Sequence, residues 1–181
     1  RQDPDIVMIG EIRDYETAQI AIRASLTGHL VLSTLHTNSA VAALTRLMDM
    51  GVEPFLISSS LTGVVAQRLV RRVCRDCTEI VEPTEREKEI FVQANMQIET
   101  VQRGRGCGNC NNTGYRGRIA IHEILPITDA IRSLIMTSAS ASKIRGHVKN
   151  EGMLFLLDDG LKKVKQGLTT TEEVLRVATI D

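Results

Sequence analysis

The sequence is poor in the features that mark several common classes of protein. It contains no tryptophan, and aromatic residues make up only 3% of its 181 positions, which argues against the stacking platforms that bind single-stranded nucleic acid. Its 22 basic residues are balanced by 22 acidic ones, so no net charge favours nucleic acid or an anionic membrane. The longest apolar runs are about five residues, far short of the roughly 20 that a membrane-spanning helix needs.

The bulk composition is that of a globular protein, with 43% apolar and 24% charged residues. The chain begins with Arg1 and reaches a buried type of strand almost at once, so we expect it to be a fragment of a longer protein. No signal peptide is visible. All four cysteines fall in two Cys-x-x-Cys pairs, which favours metal ligation in a reducing, cytoplasmic compartment over disulfides.

The first part of the sequence alternates strand and helix patterns. The predicted strands are 6–9, 30–33 and 67–73, and the predicted helices are 14–26, 40–50 and 54–65. This alternation is typical of an α/β layer with a parallel sheet. We therefore predict an α/β segment over residues 1–73.

The composition changes at Cys74, where glycine, asparagine, charge and cysteine become frequent. The sequence predicts one helix, 84–94, between Cys74 and Gly117, then a strand at 118–124. Three or four further helices are predicted, at roughly 129–136, 141–150, 153–165 and 171–178, the last capped by Thr171. We thus divide the rest of the chain into a cysteine-containing subdomain, 74–117, and a mostly helical region, 118–181.

Residues 5–14, DIVMIGEIRD, form an apolar strand that ends in a carboxylate. Nucleoside triphosphatases place an acid in this way near the terminal phosphate, at the carboxyl end of a parallel strand. Glu11 could there orient or deprotonate the attacking water. The alternative is an ordinary surface acid after a core strand.

Residues 27–38, TGHLVLSTLHTN, repeat the arrangement, with polar side chains after an apolar run. A neighbouring parallel strand would bring Thr34 and His36 to the same crevice as Glu11. His36 could hydrogen-bond the terminal phosphate or the water. The alternative for a single histidine is a purely structural role.

The two cysteine pairs have the spacing of a structural zinc site. Each pair turns the chain so that two thiolates reach one ion, and both pairs together complete a tetrahedron. Thioredoxin-like redox chemistry is the competing interpretation. Four protein ligands leave no open position for a substrate. The predicted ligands are Cys74, Cys77, Cys107 and Cys110.

Arginines cluster around these cysteines. They could be salt-bridged structural residues, interface contacts or residues that reach a phosphate. They are Arg68, Arg71, Arg72, Arg75, Arg103, Arg105, Arg116 and Arg118.

With these segments read, the sequence resembles the type II secretion and type IV pilus assembly ATPases along nearly its whole length. Residues 1–14 resemble the Walker B box of that family, and residues 27–38 its His box. Residues 65–70 (VAQRLV), 114–118 (GYRGR) and 159–167 (DGLKKVKQG) also match its pattern. Segments 24–27, 50–60 and 67–71 are closer to the type II secretion branch.

The resemblance implies the C-terminal part of a RecA-like parallel-sheet domain, a zinc subdomain and a helical region. It also implies a cytoplasmic homo-hexamer, peripheral at the bacterial inner membrane, that binds platform proteins there and uses ATP and Mg²⁺. Within it, Glu11 matches the catalytic glutamate and His36 the His-box histidine, while the four cysteines match the zinc ligands. Arg13 and Thr34, in the same two motifs, are assigned to nucleotide binding.

Three positions or segments depart from expectation. Gly10 occupies the place where many Walker B boxes carry an aspartate, although this glycine is usual in the family. The sequence has no Gly-x-x-x-x-Gly-Lys-Ser/Thr loop, so we predict that this chain alone does not hydrolyse ATP. Residues 154–157, LFLL, are more apolar than expected and suggest either a partner surface or closer packing.

The incomplete sheet is also expected to leave apolar surface exposed near 6–9 and 30–32, which predicts poor solubility or self-association. Two other functions stay open at this point. One is a type IV pilus assembly ATPase, and the other is a zinc-stabilised interaction module without enzymatic activity.

Overall fold

The computed structural model describes residues 4–178. The predicted C-terminal region extends to residue 181, so its last three residues, like residues 1–3 of the first motif, lie outside the described part. The strands are β1 (Ile6–Ile9), β2 (Leu30–Ser33), β3 (Gly63–Val73), β4 (Thr78–Val81), β5 (Val101–Gly104) and β6 (Tyr115–Pro126). The helices are α1 (Tyr15–Leu26), α2 (Ala40–Asp49), α3 (Pro54–Ser60), α4 (Glu85–Gln93), α5 (Asp129–Met136), α6 (Ala141–Asn150), α7 (Leu156–Lys165) and α8 (Thr171–Leu175).

The described residues form two compact units, each built from two separate stretches of chain. The first contains the residues up to Ala66 together with Ile124–Met153, and the second contains Gln67–Glu123 together with the residues from Leu154. Of the three points at which the chain passes from one unit to the other, one lies within β3 and one within β6. The three segments predicted from the sequence therefore do not coincide with the two units, and as functional divisions they stay a prediction.

In the first unit, β1 and β2 pair in parallel, with Ile6 opposite Leu30 and Ile9 opposite Ser33. Asp14 caps α1, since its carboxylate accepts a hydrogen bond from the Thr17 N–H at 2.8 Å. Helix α1 then buries Ala18, Ala21 and Ile22. The predicted parallel strand pair and the helix between them are confirmed.

One face of this strand pair is uncovered. Ile6 is 59% exposed, Met8 79% and Leu30 50%, which confirms the exposed apolar surface expected for this region. A two-stranded sheet buries too little apolar area to be stable without further cover. The expected tendency to self-associate follows from this surface and stays a prediction.

The predicted helix 54–65 is wrong in its second half. Helix α3 ends at Ser60, and β3 begins at Gly63, four residues earlier than the predicted strand. Val64 and Val65 are β-branched and favour extended backbone. Pairing with β6, whose neighbouring residue Ile127 donates its N–H to the Thr62 carbonyl at 3.0 Å, draws this segment into the strand.

The second unit has a core of aliphatic side chains around Phe91. Strands β4 and β5 pair antiparallel, from Thr78 opposite Gly104 to Val81 opposite Val101. The sequence predicted neither strand. The LFLL segment contributes to this core, because Leu156 is buried in it and Leu157 packs against it. Those two residues support the closer-packing interpretation of the segment.

The last two helices are shorter than predicted. Helix α7 begins at Leu156 rather than at residue 153, because the Asp158 carboxylate accepts the Phe155 N–H at 2.9 Å and caps the helix there. Helix α8 ends at Leu175, and its N-cap is Thr170, whose side chain accepts from the Glu173 N–H. Thr171 was predicted as the cap, but it is the first helical residue.

A fully buried carboxylate fixes α8. Glu173 has 0% side-chain exposure, and its oxygens accept from the Arg71 guanidinium at 2.7 Å and the Arg71 backbone N–H at 2.8 Å. Arg176 donates to the same carboxylate at 3.1 Å. Burial raises the pKa of Glu173, but these hydrogen bonds outweigh it and lower the pKa to about 2.

Replacement of Glu173 tests this network. Because the folded-state pKa lies below the usual value of about 4.3, the carboxylate stabilises the fold fully above that pH. Its contribution is lost as the pH falls towards 2. We expect Glu173→Gln to lower the free energy of unfolding at pH 7 by on the order of 2 kcal/mol, measured by urea titration.

The variant should also lose less stability than the wild type between about pH 5 and pH 3. Glu172→Gln is the matched control, since Glu172 is the exposed neighbour. Equal stability loss in the two variants, or an unchanged acid profile for Glu173→Gln, would refute the role of the buried carboxylate.

Candidate functional site

The carboxyl ends of β1 and β2 are tied together by two hydrogen bonds beyond the strands themselves. The Ile12 N–H donates to the Thr34 carbonyl at 2.9 Å, and the Thr34 hydroxyl donates to the Gly10 carbonyl at 2.7 Å. Thr34, predicted to bind nucleotide, thus bonds the backbone immediately before Glu11. This contact fixes where the Glu11 side chain begins.

The Glu11 carboxylate lies between two nitrogen donors. The Arg13 guanidinium is 2.5 Å from one carboxylate oxygen, and His36 Nε2 donates to the other at 2.8 Å. Three of the four residues predicted for the nucleotide site, Glu11, Arg13 and His36, thus form one cluster. The fourth, Thr34, hydrogen-bonds the adjacent backbone at Gly10. The cluster faces solvent, since the His36 side chain is 80% exposed and that of Glu11 is 32% exposed.

The hydrogen bond from Arg13 is the main cause that lowers the pKa of Glu11, against a smaller rise from partial burial, and His36 lowers it further. Glu11 is therefore ionised at neutral pH. An ionised carboxylate can accept a hydrogen bond from water and orient it, although a low pKa makes it a weaker base. The geometry suits the placement of a water molecule more than strong proton abstraction.

The four cysteines converge within the second unit. All four sulfur atoms lie within 4.8 Å of one another. The sulfurs of Cys74 and Cys107 are 4.0 Å apart, those of Cys77 and Cys110 3.9 Å, and those of Cys107 and Cys110 3.7 Å. Sulfurs at the corners of a zinc tetrahedron lie about 3.8 Å apart, since Zn–S is about 2.3 Å. The donor set therefore fits a zinc ion.

Backbone geometry builds the second cysteine pair into a metal-binding turn. Cys110 Sγ accepts from the Cys107 N–H at 3.2 Å and from the Gly114 N–H at 3.3 Å. Although burial raises the pKa of the Cys110 thiol, these two hydrogen bonds lower it to about 6. Cys110 thus presents a thiolate, the form that binds metal.

The turn depends on a glycine at position 106. Gly106 has a φ of +96°, and a Cβ there would lie 2.9 Å from the Asn112 carbonyl oxygen. Gly108, inside the Cys-x-x-Cys pair, has no atom within 4 Å of its Cβ position. The turn therefore requires glycine at position 106, whereas position 108 has room for a Cβ.

Several of the arginines around the cysteines form ion pairs within the second unit. Arg116 lies 3.3 Å from Asp76, Arg103 lies 2.6 Å from Glu87, and Arg105 lies 3.7 Å from Glu79. These contacts support the structural interpretation for those three residues. Sequence reasoning missed the buried partner of Arg71, Glu173, because nothing in the local pattern of α8 distinguishes Glu173 from the exposed Glu172.

The fold and the site define an α/β chain with a polar cluster at the ends of two parallel strands and a four-cysteine metal centre. The Type II/IV secretion system protein family model matches residues 1–176. The chain belongs to this family. No helix in residues 4–178 is long and apolar enough to cross a membrane.

Two relatives illustrate the similarity. The chain is 55% identical to the type II secretion system ATPase E of Vibrio cholerae, over 98% of this chain and 35% of the relative. It is 54% identical to the type IV pilus assembly ATPase PilB of Thermus thermophilus, over 97% of this chain and 20% of that protein. The chain thus spans about a third of the first relative's length and a fifth of the second's.

Solved structures agree with the fold. The pilus retraction motor PilT with bound ADP matches 99% of this chain and 41% of its own, with a TM-score of 0.67 and 26% identity. The ATPase DotB of Legionella pneumophila matches 97% of this chain and 39% of its own, with a TM-score of 0.62 and 19% identity, and supports the fold alone.

The metal centre can be tested directly. We expect one zinc per chain by metal analysis of protein purified without chelator. Cobalt substitution should give the intense near-ultraviolet absorption of a tetrathiolate site. Cys110→Ser should abolish stoichiometric binding and lower stability by on the order of several kcal/mol, because metal binding contributes to folding.

Gly108→Ala is the matched control within the same Cys-x-x-Cys pair, and it should keep its zinc. Gly106→Ala should bind zinc more weakly because of its positive φ. Wild-type chain without stoichiometric zinc, or a Cys110→Ser variant that keeps the metal, would contradict the assignment.

Proposed function

We propose that the protein to which this chain belongs hydrolyses ATP to drive pseudopilus assembly and type II protein secretion across the outer membrane. The observation that carries the proposal is the Glu11 carboxylate at the end of β1, held 2.8 Å from His36 beyond the end of β2. The names of the relatives, which are secretion and pilus ATPases, support the same reaction class.

In this proposal Glu11 orients the water that attacks the terminal phosphate. His36 holds the Glu11 carboxylate in place through their hydrogen bond. When His36 contacts the phosphate or the water, the same hydrogen bond couples that contact to the position of the carboxylate. Arg13 keeps Glu11 charged, and Thr34 fixes the backbone that carries it. The roles of Arg13 and Thr34 as nucleotide-binding residues are thereby indirect, through Glu11.

The grip on the phosphates has to come from elsewhere in the protein. This sequence has no phosphate-binding loop, and Glu11 has Gly10 rather than an aspartate before it. The next acid, Asp14, is occupied as the cap of α1. We therefore propose that the magnesium ion and the phosphates are held mainly by residues outside this chain.

The tetracysteine site is proposed to hold a structural zinc ion. Its four thiolates fill a tetrahedral coordination shell, so no position is left for water or substrate. The ion would join two Cys-x-x-Cys pairs that are separated by 29 residues of chain. Zinc therefore supports the fold rather than the reaction.

The assembly and location follow the same resemblance. We propose a homo-hexamer in the cytoplasm, bound at the inner membrane to platform proteins of the secretion system. The pilus assembly function is the principal alternative, because the Thermus thermophilus PilB relative is 54% identical, only one percentage point below the Vibrio cholerae relative. A non-enzymatic zinc module is the other.

The branch can be decided in the host bacterium. Deletion of the gene should abolish secretion of folded proteins into the medium and leave type IV pili intact, and the gene on a plasmid should restore secretion. Loss of pili with normal secretion would establish the alternative.

Glu11 can be tested in the full-length protein. Glu11→Gln should lower kcat at least about 100-fold, because a neutral amide accepts a hydrogen bond from the attacking water more weakly than a carboxylate and orients it less well, with a much smaller change in KM. His36→Ala should give a smaller loss. Steady-state phosphate release measures both, with Glu16→Gln in the exposed first turn of α1 as the control.

The 181-residue chain alone should give no hydrolysis in the same assay, since it lacks the phosphate-binding loop. Full activity of the Glu11→Gln protein would remove the carboxylate from the mechanism. Magnesium-dependent hydrolysis by the isolated chain would show that the site is complete within it.

A further inference from the structure

The second unit contains an open cavity of about 670 Å³, which none of the roles above uses. It is of the size that small-molecule sites have. Helices α4 and α8 line it, together with Gly104 and Tyr115. Ile90 and Leu175 provide an apolar surface within it.

Three arginines line this cavity: Arg86, Arg103 and Arg176. Two of these arginines pair with carboxylates that are less exposed than the arginines themselves. Arg103 is 42% exposed and its partner Glu87 12%, while Arg176 is 55% exposed and its partner Glu173 0%. Both guanidinium groups are thus more exposed than the carboxylates that they bind, and Glu87 also lines the cavity.

The positive charge is not fully compensated. Glu173 binds two arginines, Arg71 and Arg176, with one carboxylate. Arg86 is exposed on α4 and forms no ion pair with any residue from 4 to 178. Two acids, Glu87 and Glu172, line the cavity with the three arginines, so one positive charge is in excess among the lining residues.

The walls are held rigidly, which lowers the entropic cost of binding. The Tyr115 hydroxyl and the Thr170 hydroxyl are 2.8 Å apart, and the Arg71 guanidinium lies 4.2 Å from the centre of the Tyr115 ring. At Gly104 a Cβ would lie 2.1 Å from the Gly114 carbonyl oxygen. Two backbone segments thus pass each other too closely for any side chain.

We propose that this cavity binds a small organic oxyanion, a molecule with a phosphate or carboxylate group and an apolar part. The guanidinium groups of Arg86, Arg103 and Arg176 would receive the anionic group, because planar guanidinium forks match oxyanions. Ile90 and Leu175 would contact the apolar part. The cavity is lined by none of the residues of the proposed ATP site or of the metal centre.

Two simple probes distinguish a phosphate ligand from a carboxylate ligand. The zinc-loaded, ¹⁵N-labelled chain is titrated with phenyl phosphate and, separately, with phenylacetate, and the backbone amide shifts of Gly104, Tyr115 and Thr171 are followed by NMR. Saturable shifts confined to the cavity are expected for at least one probe, and the tighter probe identifies the anionic group. Benzyl alcohol, which has no charge, should bind at least about tenfold more weakly.

Variants test the arginines. Arg86→Gln should weaken binding of the tighter probe about tenfold, whereas Lys88→Gln, which removes the same charge from the same helix, should leave it unchanged. Arg103→Lys keeps the charge opposite Glu87 but loses the planar fork, so it should also weaken binding even if Arg86→Gln folds poorly.

Failure of both anions to give saturable shifts in the wild type would overturn the proposal. Equal weakening by Arg86→Gln and Lys88→Gln would also overturn it, because it would indicate attraction by net charge alone.

Discussion

The convergence of four cysteine sulfurs on one point is the constraint around which the second unit is organised. Buried thiolates this close repel one another unless a cation lies between them. The two pairs are separated by 29 residues (78–106), and the chain between them must leave and return to the same place. The antiparallel β4–β5 pair and the close approach of Gly104 to Gly114 make that return possible.

The elements with strong local signals were the ones that the sequence predicted well. Asp14, Ser39 and Thr84 each accept a backbone hydrogen bond as N-caps, and the helices after them begin within one residue of the expected position. The first four residues of β3, 63–66, and the pair β4–β5 were missed, because partners distant in sequence hold them. Local periodicity carries no information about such partners.

Some features of the candidate site could likewise be predicted from the sequence, and others could not. Parallel strands place their carboxyl ends together, so Glu11 and His36 could be expected to meet from the sequence alone. The contact of Arg13 with Glu11 and the bond from Thr34 to Gly10 could not be deduced, because they depend on side-chain directions within the turn. The arginine-lined cavity has contributions from segments between Thr84 and Arg176, and no single motif indicates it.

The discontinuity of the two units bears on how the chain folds as it is synthesised. The first unit is completed only by Ile124–Met153, and the second only by the residues from Leu154 onwards. On the ribosome, neither core can close until most of the chain has emerged, and contacts of high sequence separation form slowly. Glu173 lies 102 residues after Arg71 and supplies the carboxylate that Arg71 binds. The apolar segments of the second unit therefore stay exposed on the growing chain until α7 and α8 have been synthesised.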